Sequence, residues 1–370
     1  MSRIVVFNVS SASLKWSLLD VTTEALAAGG EEPYAEAAGS NVGNLVRQVL
    51  TAAGAVEAVG YRVVHGGSVF REAVRVDQQM IDMLITLNEL APLHNPVTIM
   101  CMKAALETAP EALHVAAFDT AFHRTLPEKA ATYAIPREWT ERYAVRKFGF
   151  HGLSVAYAVR RVAELLHGTP HRHIVCHLGV GCSVTAVRDG QSVDTSMGFT
   201  PLEGVMMATR TGTLDPGLVL YLVRNGIDVE SCYDAFEHRS GLLGVSNVSS
   251  DIRAIMEEAT RGDSQARLAY DMFIHSAVRV VGGMVAALGG LDVLTFTGGV
   301  GEHQAPIRQQ VASALAYLGV ALDPVVNGQT AGDRDISSAD SSVRAFVIQS
   351  REDLSVLREV KAFIERRQAG

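Results

Sequence analysis

The sequence predicts an α/β protein of two related halves, and three observations carry that prediction. Apolar, β-rich runs alternate with stretches of helical periodicity throughout the 370 residues, the pattern of strands covered by helices. At about 150 residues per domain, that length predicts two or three domains. A strand-turn-strand pattern near the N-terminus, Ile4-Val-Val-Phe-Asn-Val-Ser-Ser-Ala-Ser13 leading into Leu14-Lys-Trp-Ser-Leu18, returns about 170 residues later. There the apolar runs His173–Cys176 and Val184–Val187 flank the bend His177-Leu-Gly-Val-Gly-Cys-Ser-Val184, and aligning Ile4 with Ile174 sets Ser13 opposite Ser183. A repeat on this scale predicts duplicated lobes. The chain leaves each bend as another strand, so each is a hairpin offering small residues and free backbone N–H groups, which suits a phosphate.

Composition bounds the partners. With 48% hydrophobic residues the chain can build full cores, and a net charge of −8 argues against a nucleic acid or an anionic membrane. Cys101, Cys176, Cys182 and Cys232 include no CxxC pair, so neither zinc nor a disulfide framework is expected and a reducing cytoplasm fits. Ser2 and Arg3 run directly into a strand without a signal-peptide core. The longest apolar region, Phe273 to Leu291, carries His275, Arg279 and several glycines and is expected as a buried helix, not a membrane span.

The elements follow in order. Asn41 to Ala53 reads as a helix with Val42, Leu45, Val46, Val49 and Leu50 on one face and Gly54 as its stop. Ala58 to Val64 is a strand ending in His65-Gly-Gly67, Val97 to Thr108 a helix, and Leu113 to Phe118 a buried strand closed by Asp119. A helix runs to about Leu166 with Ser154 as N-cap and Gly168 beyond its end. Asp215 and Pro216 open a helix that stops at Gly226; Ser240 to Ser246 is a turn; Ser249 to Arg253 starts an amphipathic helix; Ser264 to Leu288 is helical throughout. Asp292 to Phe296 is a strand running into the glycine loop Thr297-Gly-Gly-Val-Gly-Glu302, and Pro306 leads a helix. Val343 to Ile348 is the last strand, and a final helix begins near Glu352 with Leu354, Leu357, Val360 and Ile364 apolar.

Among chemical signals, the absence of GxxxxGK[ST] excludes a P-loop. Glycine loops after strands in both halves suit a phosphate clamp, though each alone reads more readily as a plain tight turn. Arg62 and Arg210 sit among apolar or small residues, where bidentate oxyanion binding is favoured; the plain alternative is a solvated surface arginine. His94 and His151 read either as satisfied core groups or as site residues. Asp119 either caps a turn or serves chemistry, and Glu352 is equally a first-turn helix acid.

Together these segments resemble the acetate kinase family. The resemblance runs from Ile4 to the C-terminal helix and rests on Arg62-Val-Val-His-Gly-Gly67, Leu90-Ala-Pro-Leu-His-Asn-Pro96, Phe118-Asp-Thr-Ala-Phe-His123 and Gly198-Phe-Thr-Pro-Leu-Glu-Gly204. It implies two duplicated βββαβαβα lobes of the actin-like, ribonuclease-H-like superfamily that includes sugar kinases and chaperone ATPases, hinged to close over the site. The lobes are expected at 1–123 plus 354–370 and at 124–353. Implied too are reversible phosphoryl transfer between ATP and acetate or another short-chain carboxylate, Mg2+ as cofactor, and a cytoplasmic homodimer.

Residue by residue, the resemblance assigns Asn8 and Glu352 to magnesium, and Ser11, Ser13 and Lys15 to the first phosphate hairpin. Arg62 and Arg210 would hold the carboxylate and the migrating phosphoryl group, with His94 and His151 adding transition-state contacts and Asp119 as catalytic acid. Val64, Leu93, Phe150 and Pro201 would enclose the acyl methyl. The nucleotide would lie against His177, Leu178, Gly179, Val180 and Gly181, against Asp251, Ile252 and Arg253, and against Gly298, Gly299, Val300, Gly301 and Glu302. The chemistry adds its own constraint. A carboxylate substrate is already ionised at neutral pH, so direct in-line transfer needs cancellation of charge between two anions more than a base, and Asp119 reads better as an organiser of metal and water.

The chain departs from the family at Ser10 and Ala12 (usually Gly and Ser), Val180 (usually Asn), Thr213 (usually Asp), Leu153, Val155 and His303. These departures leave three alternatives open: an impaired paralogue acting as a sensor, a kinase using another donor such as pyrophosphate or another acid such as propionate or butyrate, and a chaperone-like or sugar-kinase ATPase.

Overall fold

The computed structural model describes residues 2–10, 13–34, 40–92, 94–329 and 332–369. The chain divides into two compact units, one of residues 1–124, 150–157 and 351–370, the other of residues 125–149 and 158–350.

In the first unit, β1 (Arg3–Val9), β2 (Ser13–Asp20), β3 (Leu26–Pro33), β4 (Ala58–Val63), β5 (Val74–Arg75) and β6 (Leu113–Phe118) form one sheet in the order β3-β2-β1-β4-β6-β5. β1, β4 and β6 are parallel neighbours and buried, as strands covered on both faces must be. The helix Ser40–Ala53 packs through Val42, Val46, Val49 and Leu50 and stops at Gly54, whose φ of 71° needs glycine. The C-terminal helix Glu352–Ala369 lies on β1, β4 and β6; Gly60 gives it room, since a Cβ there would meet Val356 at 2.7 Å.

In the second unit, β7 (Arg172–Leu178), β8 (Cys182–Arg188), β9 (Gln191–Thr195), β10 (Val293–Thr297), β11 (Arg334–Asp335) and β12 (Arg344–Val347) repeat that order as β11-β12-β10-β7-β8-β9. The expected duplication is therefore present strand for strand. The turns differ by one residue, because Val9 pairs with Leu14 whereas Leu178 pairs with Cys182. A gapless alignment through Ile4 and Ile174 therefore does not hold across both hairpins.

The helix Ser264–Leu288 matches its expected span and is, by length and composition, capable of crossing a membrane. Its buried residues, among them Tyr270, Phe273, Ala277, Val281 and Leu288, recur at the spacing of one face, and that face packs on β8. Three local expectations are corrected. Ser154 is not an N-cap but the third residue of the helix Gly152–Leu166, fully buried. Ser240 caps a short helix, Gly241–Ser246, where a turn was expected. The glycine string after β10 is the helix Gly298–His303, entered without an intervening loop.

Candidate active site

In the first unit the parallel pairing sets Asn8 of β1 beside Arg62 of β4, both near the C-terminal ends of their strands, and Asp119 lies just past the end of β6. Arg62 is closed in by these residues and by Glu352 at the start of the last helix. Its Nη2 donates to Asp119 Oδ2 at 2.5 Å, its Nε to Asp119 Oδ2 at 3.1 Å, and its Nη1 to Asn8 Oδ1 at 2.9 Å. Glu352 Oε2 lies 3.3 Å from Arg62 Nε and accepts from Asn8 Nδ2 at 2.7 Å. Two carboxylates against one guanidinium leave the cluster with one surplus negative charge. Burial, and then the neighbouring Glu352, push Asp119 up to about 6 against the opposing pull of Arg62.

Asp119, Glu352 and Asn8 offer only oxygen donors besides the Asn8 amide nitrogen, and among the described residues no group of three His, Cys, Asp or Glu side chains forms a metal cluster. The oxygen ligands of Asn8, Asp119 and Glu352 are of the kind Mg2+ takes, through one or two carboxylates plus substrate phosphates and water.

The segment carrying Phe150 and His151 is locked against this cluster. Gly152 N–H donates to the Asp119 carbonyl at 3.0 Å, and His151 takes a left-handed φ of 59°, unusual for a side-chain-bearing residue. His123, held neutral because burial lowers it to about 4, bonds the Phe150 carbonyl through Nε2 at 3.0 Å. Sequence reasoning gave His123 no role. Val64 is buried beyond the end of β4, and His94 begins the turn into the helix Asn95–Thr108. Leu93, Ser11 and Ala12 lie outside the described residues. Ser13 and Lys15 are engaged by Glu31 of β3, at 2.8 Å and 3.5 Å. Ser10 Oγ accepts from Ser13 N–H at 2.9 Å, a bond that a glycine at position 10 would lack.

The second unit brings together three predicted segments. His177 of β7 pairs with Thr297 of β10, so the turn through Gly179, Val180 and Gly181 lies beside the helix opened by Gly298. Gly298 has φ 76°, and a Cβ there would meet the Leu178 carbonyl at 2.7 Å, so this approach requires glycine. Val180 is 79% exposed at the hairpin tip, and its carbonyl accepts from Ala208 N–H at 3.2 Å, tying the loop that carries Arg210 to the hairpin. Arg308, fully buried, donates to the carbonyls of Gly301 and Glu302 at 2.8 and 2.9 Å and fixes the end of the glycine helix. Gly299 and Val300 lie within that helix. Asp251 caps the helix that Ile252 opens and pairs with Arg253 at 2.6 Å, a self-contained unit. Pro201 lies half-buried in the loop after β9. Thr213 is bonded to Gly204 through both N–H and Oγ1, which accounts for a hydroxyl there.

Two sheets of one strand order, with charged residues at the strand ends of the first and glycine turns at those of the second, define the actin-like ATPase fold. Within that class, the chain belongs to the acetokinase family, which it matches over residues 30–358. It is similar to the acetate kinase of Acaryochloris marina, 45% identical over 309 residues that make up 84% of this chain and 77% of that one. The crystal structure of Porphyromonas gingivalis acetate kinase is 32% identical with a TM-score of 0.89, covering 98% of this chain and all of that one (100%). A propionate kinase from Francisella tularensis is 35% identical with a TM-score of 0.87, covering 97% and 99%.

Proposed function

We propose that this chain is an acetate kinase, transferring a phosphoryl group directly and reversibly between ATP and acetate to give acetyl phosphate and ADP. The observation that carries this reading is the assembly of Asn8, Arg62, Asp119 and Glu352 into one hydrogen-bonded and ion-paired cluster, Asp119 fully buried, at the ends of parallel strands and the start of the C-terminal helix, in a chain of the acetokinase family.

The two units, residues 1–124, 150–157 and 351–370 and residues 125–149 and 158–350, are read as the lobes that divide the work; against the expected division at 1–123 plus 354–370 and 124–353, residues 124, 150–157 and 351–353 go with the first. Asn8, Asp119 and Glu352 would hold Mg2+, which when bound neutralises phosphate charge and orients the transferring group. Arg62 and Arg210 bind the carboxylate and phosphoryl oxygens, and His94 and His151 add donors to the charge that spreads in the transition state. Asp119 keeps Arg62 aligned; the ionised acceptor asks no base of it. Val64, Leu93, Phe150 and Pro201 exclude water from the acyl methyl. The turn His177–Gly181 and the helix opened by Gly298 present N–H groups to the nucleotide phosphates, with Ser13 and Lys15 as the matching hairpin and Asp251 to Arg253 flanking the nucleotide.

A homodimer belongs to the same reading: the helix Pro216–Arg224 has no buried residue among those described, and Leu220 and Tyr221 are 58% and 63% exposed beside Ile227 and Val229. A cytoplasmic location fits four buried, unpaired cysteines.

Trapping of acyl phosphate as hydroxamate, with ATP and Mg2+ against acetate, propionate and butyrate, tests the proposal. Product with acetate is expected; ATP hydrolysis with no hydroxamate from any acid would contradict it.

A further inference from the structure

We propose that Glu237 is a positioning residue for Arg210, holding the guanidinium by Nε so that its two terminal nitrogens stay available to the carboxylate and the transferring phosphoryl group. The inference rests on reading Arg210 as a substrate-holding arginine. Glu237 Oε2 accepts from Arg210 Nε at 2.6 Å, the one hydrogen bond that the Arg210 side chain makes among the described residues. Arg62 differs: Nε, Nη1 and Nη2 all donate to acceptors of this chain. Each terminal nitrogen of Arg62 thus already holds one acceptor, whereas among the described residues Arg210 leaves both uncommitted, the pair that a planar anion takes bidentately.

The placement of Glu237 points to that partner. It lies in the last turn of the helix Val229–His238, where the helix dipole disfavours an acid, and its side chain is 7% exposed. A glutamate is almost never so buried without a partner. The backbone around it serves the same pair. Thr211 N–H donates to Phe236 O at 3.2 Å, Thr209 Oγ1 to Glu237 O at 2.7 Å, and Ser240 N–H to Thr209 O at 2.8 Å. Gly241, at φ 61°, permits this close approach, because a Cβ there would meet the Met207 carbonyl at 2.2 Å and that of Arg210 at 2.8 Å. The helix end thus grips the Arg210 loop by its backbone and Arg210 by its side chain.

The test is steady-state acyl phosphate formation by Glu237→Ala and Glu237→Gln, each alone and in an Arg210→Ala background. Glu237→Ala should lower kcat/KM for acetate by at least about tenfold while KM for ATP moves less than about twofold. Glu237→Gln, whose amide oxygen still accepts from Nε, should recover most of that loss. In the Arg210→Ala background either change should cost less than about twofold, because the two residues act as one unit. If Glu237→Ala does not fold, Glu237→Asp, which withdraws the carboxylate by one methylene, carries the same comparison. Wild-type kcat/KM in the Ala or Asp variant, or equal losses in both backgrounds, would overturn the assignment. A wild-type protein that forms no acyl phosphate would instead overturn the functional reading, and this inference with it.

Discussion

Gly152 and Asp119 are in backbone contact: the Gly152 N–H donates to the Asp119 carbonyl at 3.0 Å, and a Cβ on Gly152 would lie 2.0 Å from that oxygen. No side chain fits there without moving the end of β6, and with it the carboxylate that holds Arg62. Gly152→Ala is therefore expected to cost about 1–3 kcal/mol of stability, as overpacking does. It should also reduce acyl phosphate formation by about a hundredfold or more, because a displacement near 1 Å is enough to uncouple a site. Thermal melting and hydroxamate assay on the purified variant check both. A variant with wild-type melting and turnover would show that the contact does not matter.

Val180 at the hairpin tip makes no demand on the core, being 79% exposed. Val180→Asn should leave the melting temperature unchanged and lower KM for ATP by up to about tenfold, the equivalent of about 1.4 kcal/mol for a restored charge-assisted hydrogen bond. Nucleotide titration reads the effect directly; an unchanged KM would mean that the loop is compensated elsewhere.

Acid should destabilise the protein through two buried histidines. Burial lowers His173 to about 3 and His123 to about 4, from 6.5. The unfolded chain therefore binds these protons first, so stability is complete above about pH 6.5 and falls as pH drops toward the folded-state values, by up to about 1.4 kcal/mol per pH unit for each group. Asp119, raised to about 6, works in the opposite sense between about pH 4 and 6. The difference between proteins is therefore the informative quantity. His173→Gln should melt with a shallower decline between pH 6.5 and 4 than the parent, and parallel curves would contradict the burial argument.

The exposed apolar helix predicts association. Leu220→Asp should convert a dimer to a monomer in light scattering at micromolar concentration, with little change in melting of the isolated fold, since the Leu220 side chain is not part of a core. A monomeric parent protein would contradict the association, and a variant that stays dimeric would place the interface elsewhere.

Much of the fold was legible because its signals are local. The alternation of apolar runs, the cap Asp215 followed by Pro216, and the periodicity of Ser264–Leu288 all led to the elements observed. What was not legible depends on long-range pairing or on weak propensity. Arg62 meets Asp119 because β4 and β6 run parallel in a particular register, and meets Glu352 because the C-terminal helix returns to the first sheet. Spacing along the chain contains none of that. β3 was missed because Leu26–Pro33 is an exposed run of Ala, Gly and Glu, poor in strand formers. The string Gly298-Gly-Val-Gly was read as a loop because glycine disfavours helix, whereas the chain passes directly from β10 into a helical turn. Glu237 did carry a readable signal, an acid in the last turn of a helix, but its partner became visible only with the Arg210 loop in place.

In the proposed reaction, charge cancellation by Arg62 and Arg210 drives phosphoryl transfer to the carboxylate. The most direct test is the rate of acyl phosphate formation by Arg62→Ala and Arg210→Ala, with circular dichroism confirming the fold of each. Loss of one well-placed donor in such a site costs roughly 3–4 kcal/mol of barrier. Both variants should therefore lose at least about two orders of magnitude in turnover while remaining folded. Near-normal turnover in both, with ATP and acetate saturating, would contradict that role for the two arginines.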